Sequence, residues 1–408
     1  MGEFPTVTAR AYVAACAALA LAGFALIATL GLVVDAYGVF GTRLIPASRF
    51  PPNLRLTRGW DRVTKAIEIA ERQGDKILFV GDSRTQLGLD PDAPALAGVK
   101  AYNAALVGAT LAEQIVSLDY SLAHEPGIRR IVWGLSYEEF AFGIFTWSDY
   151  EDSAFAGRGI VSGLLRHLFA HDRVMSSWKA LLQARRLVRA TMKRNGVATF
   201  SGDPVEGPAI ARLFESELKG MSHNILAPRP RQAMDEAHDK LRRRLAELKA
   251  AGFDVDLVIV PLHIWRLEFF WQTGVDIQAD AWKRRIAATV EGLATAPGSG
   301  KLRFFDFARP HPFVEQPVYA PPPPGERRYY LESSHFYPWL GDKVLATVFG
   351  NGEGPEAMPG TEPFGREIGR GANSISIDGD IAMARAALDR WESTHEDEVS
   401  HIRKLILR

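Results

Sequence analysis

The chain of 408 residues has one cysteine, Cys16, so an intramolecular disulfide and a cysteine metal cluster are both excluded. It has no surplus of either charge. Lys+Arg and Asp+Glu each number 48, which leaves none of the basic field that nucleic-acid binding needs. No His-Glu-x-x-His occurs and no Gly-rich loop runs into Lys-Ser/Thr, so neither a metal nor a nucleotide is called for, and no cofactor is expected. Internal repeats and low-complexity tracts are lacking as well. The missing disulfide is compatible with cytoplasm or periplasm and decides neither.

What the chain does have is a composition of 47% hydrophobic and 24% charged residues, that of a globular protein with an added apolar segment. That segment is residues 12 to 34, which contain no charged residue. About 20 such residues cross a hydrocarbon core of roughly 30 Å. A cleaved signal peptide has an apolar run of only about 7 to 15 residues, so an uncleaved membrane anchor is expected. Val13-Ala14-Ala15-Cys16 looks like a lipoprotein processing box, but it sits at the start of the apolar run, where a small residue on a membrane helix is the simpler reading. Arg10 flanks one side and Arg43 and Arg49 the other, so the count of positive charges does not orient the anchor. Residues 1 to 11 form a tail, and 35 to 57, with Pro46, Pro51 and Pro52, read as a linker.

The rest of the chain is organised around Ile77-Leu78-Phe79-Val80-Gly81-Asp82-Ser83-Arg84. Four apolar residues favouring a strand run into Gly81, which permits a sharp turn, and then into Ser83. Strands are expected again at 99–103, 129–135, 255–260 and 302–307. Helices are expected at 58–73, 111–124, 231–251 and 277–295, with closing helices at 340–349 and 381–407. The alternation predicts an α/β fold with a mostly parallel sheet, in which ligands sit beyond the carboxyl ends of the strands. A serine hydroxyl at such an end needs a base within hydrogen-bond reach.

Gly81-Asp82-Ser83 after a strand, with the late Glu332-Ser333-Ser334-His335, resembles the SGNH/GDSL hydrolase superfamily over roughly residues 75 to 350. Among its members, the membrane-anchored, envelope-facing O-acetyltransferases and esterases of polysaccharides look most similar. The resemblance implies a three-layer α/β sandwich over residues 58–350, an insertion at about 140–230, and a C-terminal extension at 351–408. It casts Ser83 as nucleophile, His335 as base and Glu332 as orienting acid. The family usually has Asp in that last place, and Asp306, at a strand end, is a second candidate acid. It also implies oxyanion donors at Ser83 and Gly108.

Ser136-Tyr137-Glu138-Glu139-Phe140 stands where many members carry Gly-x-Asn-Asp. The oxyanion Asn is therefore missing, with Asn103 or Ser136 as candidates to replace it. Arg84 either binds an anionic substrate or pairs with an acid. His263, at a strand end, either lines the site or is a packed loop residue. Lys179, Arg185, Arg186, Arg189, Lys193 and Arg194 form either an acid-binding run or a solvated helix face.

The expected partners are an acylated envelope polysaccharide, the inner membrane through residues 12–34, and a membrane-bound acyl donor. On the resemblance alone, the main domain faces the periplasm. A non-catalytic protein that binds polysaccharide or scaffolds a membrane synthesis complex is the alternative, and an esterase on the cytosolic side is a third.

Overall fold

The computed structural model describes residues 8–34, 60–142, 150, 153–157, 159–169, 171, 174–175, 177–178, 189–193, 195–201, 206–225, 231–322, 324–350, 354–356, 360–369 and 374–407. In chain order the elements are α1 (Ala9–Val34), α2 (Trp60–Glu71), β1 (Ile77–Val80), α3 (Ser83–Gly88), β2 (Ala101–Asn103), α4 (Leu111–His124), β3 (Arg130–Leu135), α5 (Tyr137–Phe142) and α6 (Ile160–Phe169). They continue with β4 (Arg189–Met192), β5 (Ala198–Ser201), α7 (Pro208–Ile225), α8 (Arg231–Ala250), β6 (Asp254–Ile259), α9 (Ile264–Thr273), α10 (Val275–Ala294) and β7 (Leu302–Asp306). Last come α11 (Pro338–Phe349), β8 (Arg366–Glu367), α12 (Ile377–Thr394) and α13 (Glu396–Ile406).

The chain divides into two compact units, Met1–Ile67 with Ser148–Thr191 and Glu68–Trp147 with Met192–Arg408. The first holds α1, a single helix long and apolar enough to cross a membrane among the described residues. The second is an α/β unit built on one six-stranded sheet ordered β2-β1-β3-β6-β7-β8. Its first five strands are parallel, and β8 closes the edge antiparallel to β7. Leu78, Phe79 and Val80 are buried to 1% exposure or less, as a central parallel strand covered on both faces requires. From β1 the chain crosses to β2 on one side and then returns to β3 on the other. The end of β1 is therefore the switch point of the sheet, where a crevice opens in folds of this kind.

Several expectations need correction. The strand at 366–367, in the expected C-terminal extension, was not foreseen: Glu367 pairs with Phe305 and adds β8 to the sheet. The last helix is two, broken at His395. A helix at 264–273 was not expected: its apolar residues face all round, and Ile264, Trp265, Phe269 and Phe270 are all buried, so no single stripe betrays the period. The stretch expected as an insertion is shared between the two units. Residues 148–191 group with the first unit, while α7 belongs to the second, burying Ile210, Phe214, Leu218 and Met221. Within the basic run, 189–192 is strand, and the Lys193 ammonium is held by Asp90 at 2.5 Å. Lys179, Arg185, Arg186, Arg194 and the linker lie outside the described residues.

Candidate active site

Gly81 ends β1 with φ +154, and a Cβ there would collide with Thr85 and lie 3.0 Å from the Gly134 carbonyl, so the turn needs glycine. Asp82 caps α3, its carboxylate accepting the Arg84 N–H at 2.9 Å. The cap fixes the first turn and leaves Ser83 half-buried at the strand's carboxyl end.

The second half of the site is a loop pinched by a bridge between Tyr330 and Phe336. Inside it the Glu332 carboxylate accepts the N–H groups of Ser334 and His335, each at 2.9 Å, and the Ser334 hydroxyl at 3.2 Å. The same carboxylate meets His335 Nδ1. A carboxylate only accepts, so Nδ1 carries the proton and Nε2 the lone pair. The hydroxyl of Ser83 lies 2.7 Å from that Nε2 and donates to it. The extra methylene of Glu over Asp is taken up by the fold of the loop, which turns the carboxylate back over the two N–H groups.

Burial opposes charge on His335, but the Glu332 carboxylate outweighs it and the imidazole pKa is raised. Burial likewise opposes charge on Glu332, yet His335, Arg266 and the Ser334 N–H bring its pKa down to about 2. The imidazole is 28% exposed, enough to be reached from solvent.

What brings two stretches 252 positions apart together is close backbone approach. A Cβ on Gly88 would strike the Phe336 ring, and a Cβ on Gly341 would strike the Gly88 carbonyl. α11, which follows His335, therefore seats directly on α3, which begins with Ser83.

Behind this contact runs a buried ion network. Arg84 grips Glu138 with two bonds of 3.2 and 2.9 Å, and Arg266 reaches the same carboxylate at 3.1 and 2.5 Å. Arg266 also pairs with Glu217 on α7, which accepts the hydroxyl of Ser333. Burial would raise the Glu138 pKa, but the two guanidiniums hold it at about 2. Burial and then the Asp82 charge push the neighbouring Glu139 well above the usual carboxyl range. The network ties the residue after the serine to the residue two before the histidine. Sequence reasoning gave Glu138, Arg266, Glu217 and Ser333 no role. An arginine beside Ser83 announces that an acid must be near, but nothing local marks Glu217 as a member.

The remaining expected residues divide. Arg84 is buried and paired with Glu138 and Asp82, the structural of its two readings. Asn103 donates to the Thr85 and Leu89 carbonyls at 2.9 and 2.8 Å and accepts from Ala105, so its amide braces the serine turn. His263 is 1% exposed, caps α9 through Nδ1 and meets the Gln316 carbonyl through Nε2, so both ring nitrogens are engaged inside the fold. Burial lowers its pKa to about 3. Asp306 pairs with Lys283 at 2.5 Å and does not touch the imidazole; Glu332 does.

Ser136 lines an apolar cavity of about 90 Å³ whose walls include neither Ser83 nor His335. Gly108, at φ +60, lies in the loop leaving β2, and that loop is tied to the serine strand where the Leu106 N–H meets the Gly81 carbonyl at 3.1 Å. Among the described residues no group of three or more His, Cys, Asp or Glu is placed to hold a metal.

No family model matches the chain, and neither do the curated proteins or the solved structures. The geometry above therefore stands on its own.

Proposed function

We propose that this protein is a membrane-anchored serine esterase or O-acyltransferase that works through an acyl-Ser83 intermediate. One observation carries the reading: Ser83 Oγ stands 2.7 Å from His335 Nε2 while Glu332 holds Nδ1. A scaffold has no need of that alignment, and the arrangement is the one nucleophilic acyl transfer uses.

In this scheme His335 Nε2 takes the Ser83 proton as Oγ attacks the acyl carbonyl. Glu332 stabilises the imidazolium, and the backbone N–H groups of Ser83 and Gly108 receive the developing oxyanion. Collapse of the tetrahedral intermediate breaks the ester bond, and the departing alkoxide takes the proton from His335. Water or a sugar hydroxyl, deprotonated by His335, then attacks the acyl-serine and restores Ser83. Hydrolase and transferase differ only in that last acceptor.

The order of motifs and the sheet switch point support an SGNH-like three-layer fold. An α/β unit attached to a candidate membrane helix fits an acylated envelope polysaccharide as substrate, with the unit on the periplasmic side and a membrane-bound protein as acyl donor. The test is pre-steady-state cleavage of p-nitrophenyl acetate by the full chain, with and without added polysaccharide. A burst of nitrophenol equal to the enzyme present, absent in Ser83→Ala, is expected. Equal release by both proteins refutes the scheme, and faster turnover with polysaccharide identifies the transferase.

A further inference from the structure

Helix α6 belongs to the same compact unit as α1 and packs against it. The rings of Phe24 and Phe169 meet edge-on with centroids 5.7 Å apart. A Cβ on Gly31 would come within 2.8 Å of Leu168, so α6 closes directly on the α1 backbone there. Yet among the described residues one face of α6 is left open. Val161, Leu165 and Phe169 recur every four residues and are 70%, 55% and 40% exposed. Beyond the helix Met175 and Trp178 are exposed as well. At about 100° per residue Val161, Leu164, Leu165, Leu168 and Phe169 fall within one stripe, with Ile160 at its margin.

With α1 taken as a membrane span, position along it sets the depth of whatever packs on it. At roughly 1.5 Å per residue Phe24 lies about 15 Å from Val34, half the thickness of a hydrocarbon core of about 30 Å. Whatever touches Phe24 then shares its depth. A helix satisfies its own backbone polar groups and so tolerates hydrocarbon.

We infer that α6 is a second membrane-embedded element, a short amphipathic helix that enters the leaflet next to residue 34 and lays Val161, Leu165 and Phe169 against lipid acyl chains. Trp178 follows it with the amphipathic ring favoured at the headgroup level. The inference rests on α1 as a membrane span and is independent of any chemistry at Ser83.

The test uses the full chain in phosphatidylcholine vesicles with Cys16→Ser and an environment-sensitive NBD label at Val161→Cys or Leu165→Cys. Leu26→Cys on α1 and the exposed Ile277→Cys on α10 serve as controls. Labels at 161 and 165 are expected to emit blue-shifted light and to lose most of their intensity to nitroxide-bearing lipids, as at 26, while resisting iodide. The label at 277 is expected to behave oppositely. Water-like emission with iodide quenching at 161 and 165 overturns the inference. So does protection from both quenchers, which marks a protein partner or a second copy on that face. Lack of lipid quenching at position 26 too removes the span, and the inference with it.

Discussion

Replacing Glu332 with Gln keeps the size and the oxygen that accepts the Ser334 N–H, but it removes the charge and puts an NH2 donor in place of the oxygen that faces the His335 N–H and Nδ1. Two consequences follow at His335. The pull that raises its pKa disappears, leaving burial to lower it. An amide that presents its NH2 to Nδ1 also selects the tautomer with the proton on Nε2, which turns the ring's donor toward Ser83 and leaves no base. Loss of the correct tautomer in a Ser-His-acid site costs about 10⁴-fold in kcat, or roughly 5 kcal/mol at about 1.4 kcal/mol per tenfold.

The assay is nitrophenyl ester turnover across pH 5 to 9, with near-UV circular dichroism to show that the loop is still folded. The expected outcome for Glu332→Gln is a fall of about 10³–10⁴-fold in turnover. The acid limb of the residual activity moves to lower pH. Turnover within about threefold of the parent would refute the role given to Glu332, since so small a factor is under 1 kcal/mol.

Other outcomes follow from the same geometry. Neutral His335 is the active form and its pKa is raised above 6.5, so kcat/KM declines as the pH falls through that raised value; a rate independent of pH between 5 and 9 contradicts it. Glu332 and Glu138 are both held at about 2 against an ordinary 4.5, so each stabilises the fold fully above about 4.5 and loses that contribution as pH drops toward 2. Thermal melts should therefore weaken progressively below pH 4.5. Glu138→Ala strands Arg84 and Arg266 as buried, partly unpaired charges and should cost about 3–5 kcal/mol in denaturant unfolding. Gly341→Ala drives a methyl into the Gly88 carbonyl, so α11 must move off α3; a loss of about 1–3 kcal/mol is expected, and ester turnover should fall with it.

The sheet was legible because its strands are buried on both faces and read as unbroken apolar runs, as at Ile77–Val80. Helix α4 was legible at 111–124, and the structure shows Thr110 and Glu113 forming a capping box at its start. Ser83, Glu332 and His335 were legible as types in order. The distance between them was not, because it depends on Gly88 and Gly341, which read in the sequence as ordinary glycines. The surroundings of His263 and Asn103 were not legible for one reason: a polar residue at a strand end looks the same whether it faces a ligand or satisfies backbone groups nearby. The Glu217 link was invisible because it joins α7 to a loop 116 positions away.

The most direct measurement is fluorophosphonate treatment of the full chain, followed by peptide mass mapping. The account predicts one phosphonyl adduct, on Ser83, absent from Ser83→Ala and slowed in His335→Ala. An adduct elsewhere, or equal labelling of the parent and Ser83→Ala, contradicts it.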